Sequence, residues 1–267
     1  LLQRIQSELE TGDASRFSSF SRDLELLVAS GFPARAVRRD LEETLASPTR
    51  LGPWRPNELQ IYSGEQVDLS IWNPSKNRQF IHSLPSHAIL VPCGRSSVAY
   101  TMYRFPAGHD QDVFDNSLFL QIHAQGVCEV GSALILPAGE AVCDLHLTEP
   151  TPMLKLLFGP VQTTEWLFQR DTLQAWLQQD ADTATSQLRA AAHILGLLAD
   201  AESLDALLKL SQHRSHAVRW AAMQNLSHVS KSKALERYRE AATDDPHPHI
   251  RRGAQKVLDL IKSRTRA

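Results

Sequence analysis

Trp72-Asn73-Pro74, then Ile81-His82-Ser83, then Gly131-Ser132-Ala133-Leu134-Ile135-Leu136-Pro137-Ala138-Gly139 are the stretches on which the fold turns. The first closes an alternating run, Val67–Trp72, with an Asn-Pro breaker. The last is a short apolar run held between two glycine turns. The same texture extends from about residue 51 to 162. Strands are expected near Leu59–Tyr62, Val67–Trp72, Ala88–Val91, Val98–Tyr103, Leu118–His123, Ala133–Leu136, Val142–Leu147 and Met153–Phe158. Short strands with tight turns predict an all-β barrel or jelly roll. None is followed by a regular crossover helix, which argues against a parallel α/β sheet.

On either side the pattern is helical. Residues 1–50 read as a helical lead-in with three apolar stripes: Leu2, Ile5 and Leu9, broken by Thr11-Gly12-Asp13; Phe17, Phe20, Leu24, Leu27 and Val28, ended by Gly31; and Val37, Leu41 and Leu45, stopped by Ser47-Pro48. Residues 163–267 read as helical throughout. Thr163–Gln179 would carry Trp166, Leu167, Leu173 and Trp176 on one broad apolar face.

A repeat follows. Gln187-Leu188-Arg189-Ala190-Ala191-Ala192, Ala217-Val218-Arg219-Trp220-Ala221-Ala222 and His249-Ile250-Arg251-Arg252-Gly253-Ala254 share an aliphatic residue, an arginine, then two small residues. Leu204–Leu210 and Ala234–Ala242 supply partner helices, and Asp244-Asp245-Pro246-His247-Pro248 looks like a helix entry. A repeated helical hairpin cannot bury its face alone, so neighbours must stack. The small residues permit close approach, and the repeated arginine is expected to bond a neighbouring helix end. The segment at about 181–265 resembles short HEAT-like repeats.

Hydrophobic residues make up 42% and charged residues 22% of 267, ordinary values for a globular chain that can bury a sizeable core. No apolar run reaches membrane-spanning length, and the amphipathic start has no signal-peptide core. It also has no Met, so the chain is expected to begin inside a longer gene product. Cys93, Cys128 and Cys143 form neither a disulfide framework nor a zinc pair, which points to the cytoplasm. Net charge is −2 but uneven: residues 1–208 hold 15 basic and 25 acidic side chains, and residues 209–267 hold 13 basic and 5 acidic. A solvated helical surface is the favoured reading of that asymmetry, with an acidic partner as the alternative.

The middle of the chain, about residues 30–160, resembles the cysteine dioxygenase-type cupins. Phe32-Pro33-Ala34-Arg35, Leu41, Leu45-Ala46-Ser47-Pro48 and Leu51 are similar to that family's helical lead-in. Tyr62, Trp72-Asn73-Pro74, Ile81-His82, Gly94, Leu136-Pro137-Ala138-Gly139 and Leu157-Phe158-Gly159-Pro160 follow in the family's order. The resemblance implies an α+β chain: a cupin double-stranded β-helix barrel with N-terminal helices over 1–50, the barrel itself over 51–162, and an all-α HEAT-like segment over 163–267.

The same resemblance implies iron on three histidines, and this chain departs from it. His82 fills the first position, but Leu84 and Val142 stand at the second and third, and neither binds metal. Gly64 replaces the family's carboxylate-binding arginine, and Leu156 and Phe158 replace its closing-strand histidine and tyrosine. The other common cupin spacing, anchored at Gly108 and Gly126, places Phe114, Asn116 and Phe119 or Leu120 at ligand positions. The reading is therefore a vacated site with no cofactor.

The expected pocket is lined by Tyr62, His82, Leu84, Val142, Leu156 and Phe158 and takes a small ligand, while the helical repeats take a protein partner. Arg214, Arg219, Arg251 and Arg252 mark the partner surface. Two alternatives stay open. One is a divergent Fe-dependent thiol dioxygenase-like oxidoreductase using His82 with His87 or His146, with His109-Asp110-Gln111-Asp112 and His123 as further ligand sources. The other is nucleic-acid binding by Arg214, Arg219, Lys231, Lys233, Arg237, Arg251 and Arg252, although no base-stacking aromatic series accompanies them. No nucleophile elbow, phosphate loop or dinucleotide fingerprint is present. Cys93 and Cys143 are expected to be inert buried thiols.

Overall fold

The computed structural model describes residues 3, 4, 8, 14–47, 49, 52–76, 78–111, 113–140 and 142–266. The first predicted stripe and its Thr11-Gly12-Asp13 break, with Pro48 and Leu51, lie outside the described residues. The chain divides into two compact units. One comprises Leu1–His109 and Asp115–Gln179, the other Asp110–Phe114 and Asp180–Ala267. No helix among the described residues is long and apolar enough to cross a membrane.

In the first unit a 3-10 turn, Ala14–Phe20, leads into α1, Ser21–Ala29, and α2, Phe32–Ala46. Gly31 adopts a left-handed φ of 74° between the helices, where a side chain would be strained. Twelve strands follow among the described residues: β1 Trp54–Arg55, β2 Glu58–Ser63, β3 Val67–Trp72, β4 Phe80–His82, β5 His87–Pro92 and β6 Val98–Arg104, then β7 Gln121–Cys128, β8 Leu134–Leu136, β9 Val142–His146, β10 Met153–Phe158, β11 Thr164–Gln169 and β12 Ala175–Asp180. They form one six-stranded sheet, β1-β2-β3-β10-β5-β8, and two three-stranded sheets, β12-β11-β4 and β7-β6-β9. Within the six-stranded sheet, in β4-β11 and in β7-β6-β9 the pairings are antiparallel. The order β3-β10-β5-β8 is that of a jelly roll, in which late strands insert between early ones. The fold is the expected α+β arrangement, a cupin-type barrel behind N-terminal helices.

The strands β5 and β10 in the middle of the six-stranded sheet are buried on both faces, which is why they read as nearly continuous apolar runs, while β3 keeps its alternation. On the sheet's outer face Val67, Leu69, Ile71, Ile89, Val91, Leu154, Leu156 and Phe158 pack with Phe17, Phe20 and Leu24 from the helical lead-in. On its inner face Ala88, Leu90, Leu134, Leu136 and Met153 meet Val98, Cys128 and Leu145. The second predicted stripe is therefore core. Only the start of the third is: Val37 packs against that core, but Leu41 and Leu45 of α2 are 55% and 71% exposed, and the buried residues of that helix are Pro33 and Asp40. Asp40 accepts a hydrogen bond from Trp54 Nε1 at 2.6 Å, so a polar anchor docks α2 there in place of a leucine stripe.

Thr163–Gln179 is a hairpin, β11-β12, rather than the expected helix. Thr164, Trp166, Leu167 and Phe168 of β11 are buried, whereas Trp176 of β12 is 57% exposed. The aromatic residues thus do not share one face. Leu173, at φ 60°, turns the chain back, and its N–H donates to the Gln169 carbonyl. β11 is pinned to the barrel through Ser83, whose N–H donates to the Trp166 carbonyl while its Oγ accepts from Trp166 N–H. β7 also lies later than predicted, at Gln121–Cys128, because Leu118 and Leu120 are buried in the preceding loop, outside any strand.

The second unit contains α3 Thr183–Leu198, α4 Ala201–Leu210, α5 His216–Val229, α6 Lys231–Asp244 and α7 Pro248–Arg266. Asp182 and Asp200 cap α3 and α4 by accepting from Thr185 and Ser203 N–H, at 2.6 and 2.7 Å. The repeated arginines fall on every second helix, α3, α5 and α7, and the small residues that follow them, Ala192, Ala222 and Ala254, are fully buried. α4 and α6 are the partner helices the sequence predicts.

Candidate functional site

A cavity of about 470 Å³ lies inside the barrel. Its floor is the inner face of the six-stranded sheet: Trp72 from β3, Lys155 and Leu157 from β10, Ala88 and Leu90 from β5, and Leu136 from β8. Opposite stand Arg78 and Gln79, then Phe80, Ile81 and His82 of β4, Leu84, and Cys143, Asp144 and Leu145 of β9. The glycine turns of the opening motif set this geometry. Gly131 and Gly139 take φ of 79° and 72° at either end of β8, and the Gly139 N–H donates to the Leu84 carbonyl at 3.2 Å.

Of the six pocket residues expected from sequence, His82 and Leu84 line the cavity. Leu156 and Phe158 do not. They sit on the opposite face of β10, in the helix-packed core with Phe17 and Phe20. Tyr62 packs at the edge of that same core. Its ring covers Gly64, where an added Cβ would come within 2.9 Å of the hydroxyl. Val142 is fully buried and bridges Ser83. Successive strand residues face opposite ways, so Lys155 and Leu157 take the places that the family resemblance assigns to Leu156 and Phe158.

The alternative metal set is not assembled. His82 is at the cavity rim, with Nδ1 2.9 Å from Glu165 Oε1. His87 is on the outer face of β5, where it accepts from Ala138 N–H at 3.1 Å, stacks on Phe158 and meets Phe17 at a tilt. His146 is on β9, with Nε2 2.8 Å from Thr101 Oγ1. These three imidazoles face three different surroundings, and among the described residues no group of three His, Cys, Asp or Glu side chains is placed to hold a metal. The donor set therefore does not fit the iron centre the resemblance implies. Burial pushes the thiols of Cys93 and Cys128 up to about 11 and that of Cys143 up to about 12, far from the thiolate that nucleophilic chemistry needs.

The charged groups of the cavity fall into pairs with one exception. Lys155 Nζ lies 2.9 Å from Glu58 Oε1. Burial opposes the Glu58 charge, but the Ser70 hydroxyl and Lys155 outweigh it and hold the carboxyl below its usual range. Asp144 receives two hydrogen bonds from the Arg170 guanidinium. Arg78 stacks over Trp72 with its guanidinium carbon 4.7 Å from the ring centroid, and Lys155 Nζ stands 5.2 Å from the same ring. Sequence reading missed Arg78, Trp72 and Lys155 as site residues. The usable signal was the lysine at the centre of the otherwise apolar strand Met153–Phe158.

In the helical unit the repeated arginines bond neighbouring loops and helix ends. Arg219 is buried; it grips Asp245 through two bonds of 2.8 and 2.7 Å and donates to the carbonyls of His213 and Arg214. Arg251 donates to the carbonyls of Asp245 and Pro246, and Arg189 pairs with Asp180. Arg219 is thus a buried structural group and not part of a partner surface, whereas Arg214 and Arg252 are exposed. Arg237 and Lys233, named with them for phosphate contacts, are paired with Glu240 and Glu236.

Strand order and register define the first unit as a cupin-type barrel, and the second is a HEAT-like stack of helices. A family model described as HEAT repeats matches residues 170–259. No curated protein sequence matches the chain. Among solved structures, the chain is similar to hydroquinone 1,2-dioxygenase from Sphingomonas sp. TTNP3, at 10% identity over 43% of this chain and 70% of that one, with a TM-score of 0.31. It is similar to another hydroquinone 1,2-dioxygenase at 11% identity over 43% and 69%, with a TM-score of 0.30. It is also similar to a cupin-superfamily sugar phosphate isomerase from Silicibacter pomeroyi, at 14% identity over 50% and 79%, with a TM-score of 0.27. Likenesses at this level carry no functional weight.

Proposed function

We propose that this chain is a two-part binding protein: the barrel holds a small ligand in its cavity, and the HEAT-like helices dock a protein partner. The observation that carries the first half is the cavity itself. A filled barrel leaves few voids larger than a water molecule, whereas this one keeps about 470 Å³ lined by Ile81, Leu84, Leu90, Leu136, Leu145 and Leu157 around a few polar groups. That mixture suits a small, mainly apolar ligand. The second half is supported by α3, where Ile194, Leu197 and Leu198 lie three and four residues apart and are each more than half exposed.

Ligand-observed NMR with small neutral probes such as indole and cyclohexanol tests the cavity. Binding is expected to be lost in Leu157→Trp and in Leu84→Phe, two independent ways of filling it. Absence of binding to the unmodified protein, or binding that survives both substitutions in folded protein, would overturn the reading. For the partner surface, Ile194→Lys with Leu198→Lys is expected to abolish partner capture while leaving cavity binding intact. Capture that is unaffected would remove α3 as the docking face.

A further inference from the structure

Charge accounting around the cavity leaves one cation over. Lys155 is matched by Glu58 at 2.9 Å, and Arg170 by Asp144 in a two-pronged pair. At the rim Glu165 is hydrogen-bonded to His82 and to Gln179. Arg78 lines the same cavity and is only partly exposed. Its guanidinium stands over the face of Trp72. Among the described residues no carboxylate or carbonyl accepts from its guanidinium. Burial above all, and then the neighbouring Arg170, pull its pKa below the ordinary arginine value, with Asp144 opposing them. A half-buried guanidinium with unmet donors costs free energy that an incoming anion would recover. Arginine presents a planar fork matched to a carboxylate, and stacking on Trp72 limits the orientations of that fork.

We propose that the cavity is a site for a small monocarboxylate with an apolar body, its carboxylate held in the fork of Arg78 and its body against Leu84, Leu90, Leu136 and Leu157. This rests on the cavity being a ligand site, as proposed above. The single uncompensated positive charge sets the ligand charge at one. A dicarboxylate would place its second charge beside Glu58 or Asp144, and an amine would meet Arg78 and Lys155.

The experiment is calorimetric titration of the full chain at neutral pH with phenylacetate, hexanoate and their amides, phenylacetamide and hexanamide. At least one acid is expected to bind about tenfold or more tightly than its amide, the scale of one charge-assisted, two-pronged contact. Raising the salt concentration is expected to weaken the acid and leave the amide unchanged. Arg78→Met keeps the length and the stacking surface and is expected to bring the acid-to-amide ratio to about one. Arg78→Lys keeps the charge without the fork and is expected to retain an intermediate preference, and thermal unfolding checks that both variants fold. If amides bind as tightly as acids, ligand binding stands and the carboxylate site falls. If acids keep their advantage in Arg78→Met, the assignment to Arg78 falls. If neither acids nor amides bind, the cavity reading falls with the inference built on it.

Discussion

Arg219 shows how much of the helical unit rests on one side chain. Both it and Asp245 are less than a tenth exposed, joined by two hydrogen bonds, and two further guanidinium donors go to backbone carbonyls. Removing one partner of such a pair strands the other in a poorly solvated place, at a cost of about 3–5 kcal/mol, whereas replacing both by apolar groups is often close to neutral. Arg219→Met is therefore expected to lose about that much in urea denaturation of the full chain, and Arg219→Met with Asp245→Leu to recover a substantial part. The pair also carries a pH signature. Burial opposes the Asp245 charge, but Arg219 and the His247 N–H hold its carboxyl below the ordinary 3.8. A carboxyl depressed in the folded state binds fewer protons there than in the unfolded chain. Its contribution is then complete above about pH 3.8 and is lost as pH falls from there through the folded value. Asp245→Asn is expected to remove this component of the acid-side loss, and a stability profile below pH 4 that is unchanged by the substitution would contradict it.

At the scale of the element, β10 separates what a sequence can reveal from what it cannot. Met153–Phe158 is legible as a strand, and its place as a central one follows from its apolar run. Which side of it faces the cavity is not legible, because both faces are buried and the alternation that would mark inside from outside is absent. Lys155 was the cue, since a lysine is seldom buried without a partner. Leu156→Ala, emptying the helix-packed face, is expected to cost about 2–5 kcal/mol. Leu157→Ala, opening onto existing space, is expected to cost less and to alter ligand binding instead. Equal losses in urea denaturation would mean that the two faces are not distinct. The β11-β12 hairpin was misread for a related reason. Trp166, Leu167, Leu173 and Trp176 fall near helical spacing by coincidence, and the left-handed turn is made by Leu173, a residue that carries no turn signal. Legible, by contrast, were the small residues of the repeat, since only close helix approach explains them. Gly196 extends that pattern: a Cβ there would lie 2.7 Å from the Cβ of Asn225 on α5. Gly196→Ala gains about 1 kcal/mol of helix propensity against an overpacking cost of about 1–3 kcal/mol. Net destabilisation is expected, read as a lowered urea midpoint, and partial rescue by Asn225→Gly would locate the clash.

For the whole molecule, the barrel and the helical stack were each recoverable from spacing, through turn glycines and a repeat of about 30 residues. The chemistry was not legible, because the sequence offered only a departure from a pattern. Leu84 lines the cavity, Val142 is fully buried beside it, and neither offers a donor. The nearest substitutes for a ligand set, His82, His87 and His146, each have a partner or a packing role of their own. A metal that held these strands together would have to pull three imidazoles out of those contacts, and the fold would then depend on it. The cavity instead rests on apolar packing, the Ser83–Trp166 bonds and the Glu58–Lys155 pair, none of which involves a metal. Exhaustive chelation is accordingly expected to leave the thermal unfolding midpoint and the far-UV spectrum unchanged, with substoichiometric iron by elemental analysis before treatment. A midpoint that falls on chelation, returns with Fe(II), and loses that response in His82→Ala would reverse the assignment and restore a metal centre built on His82.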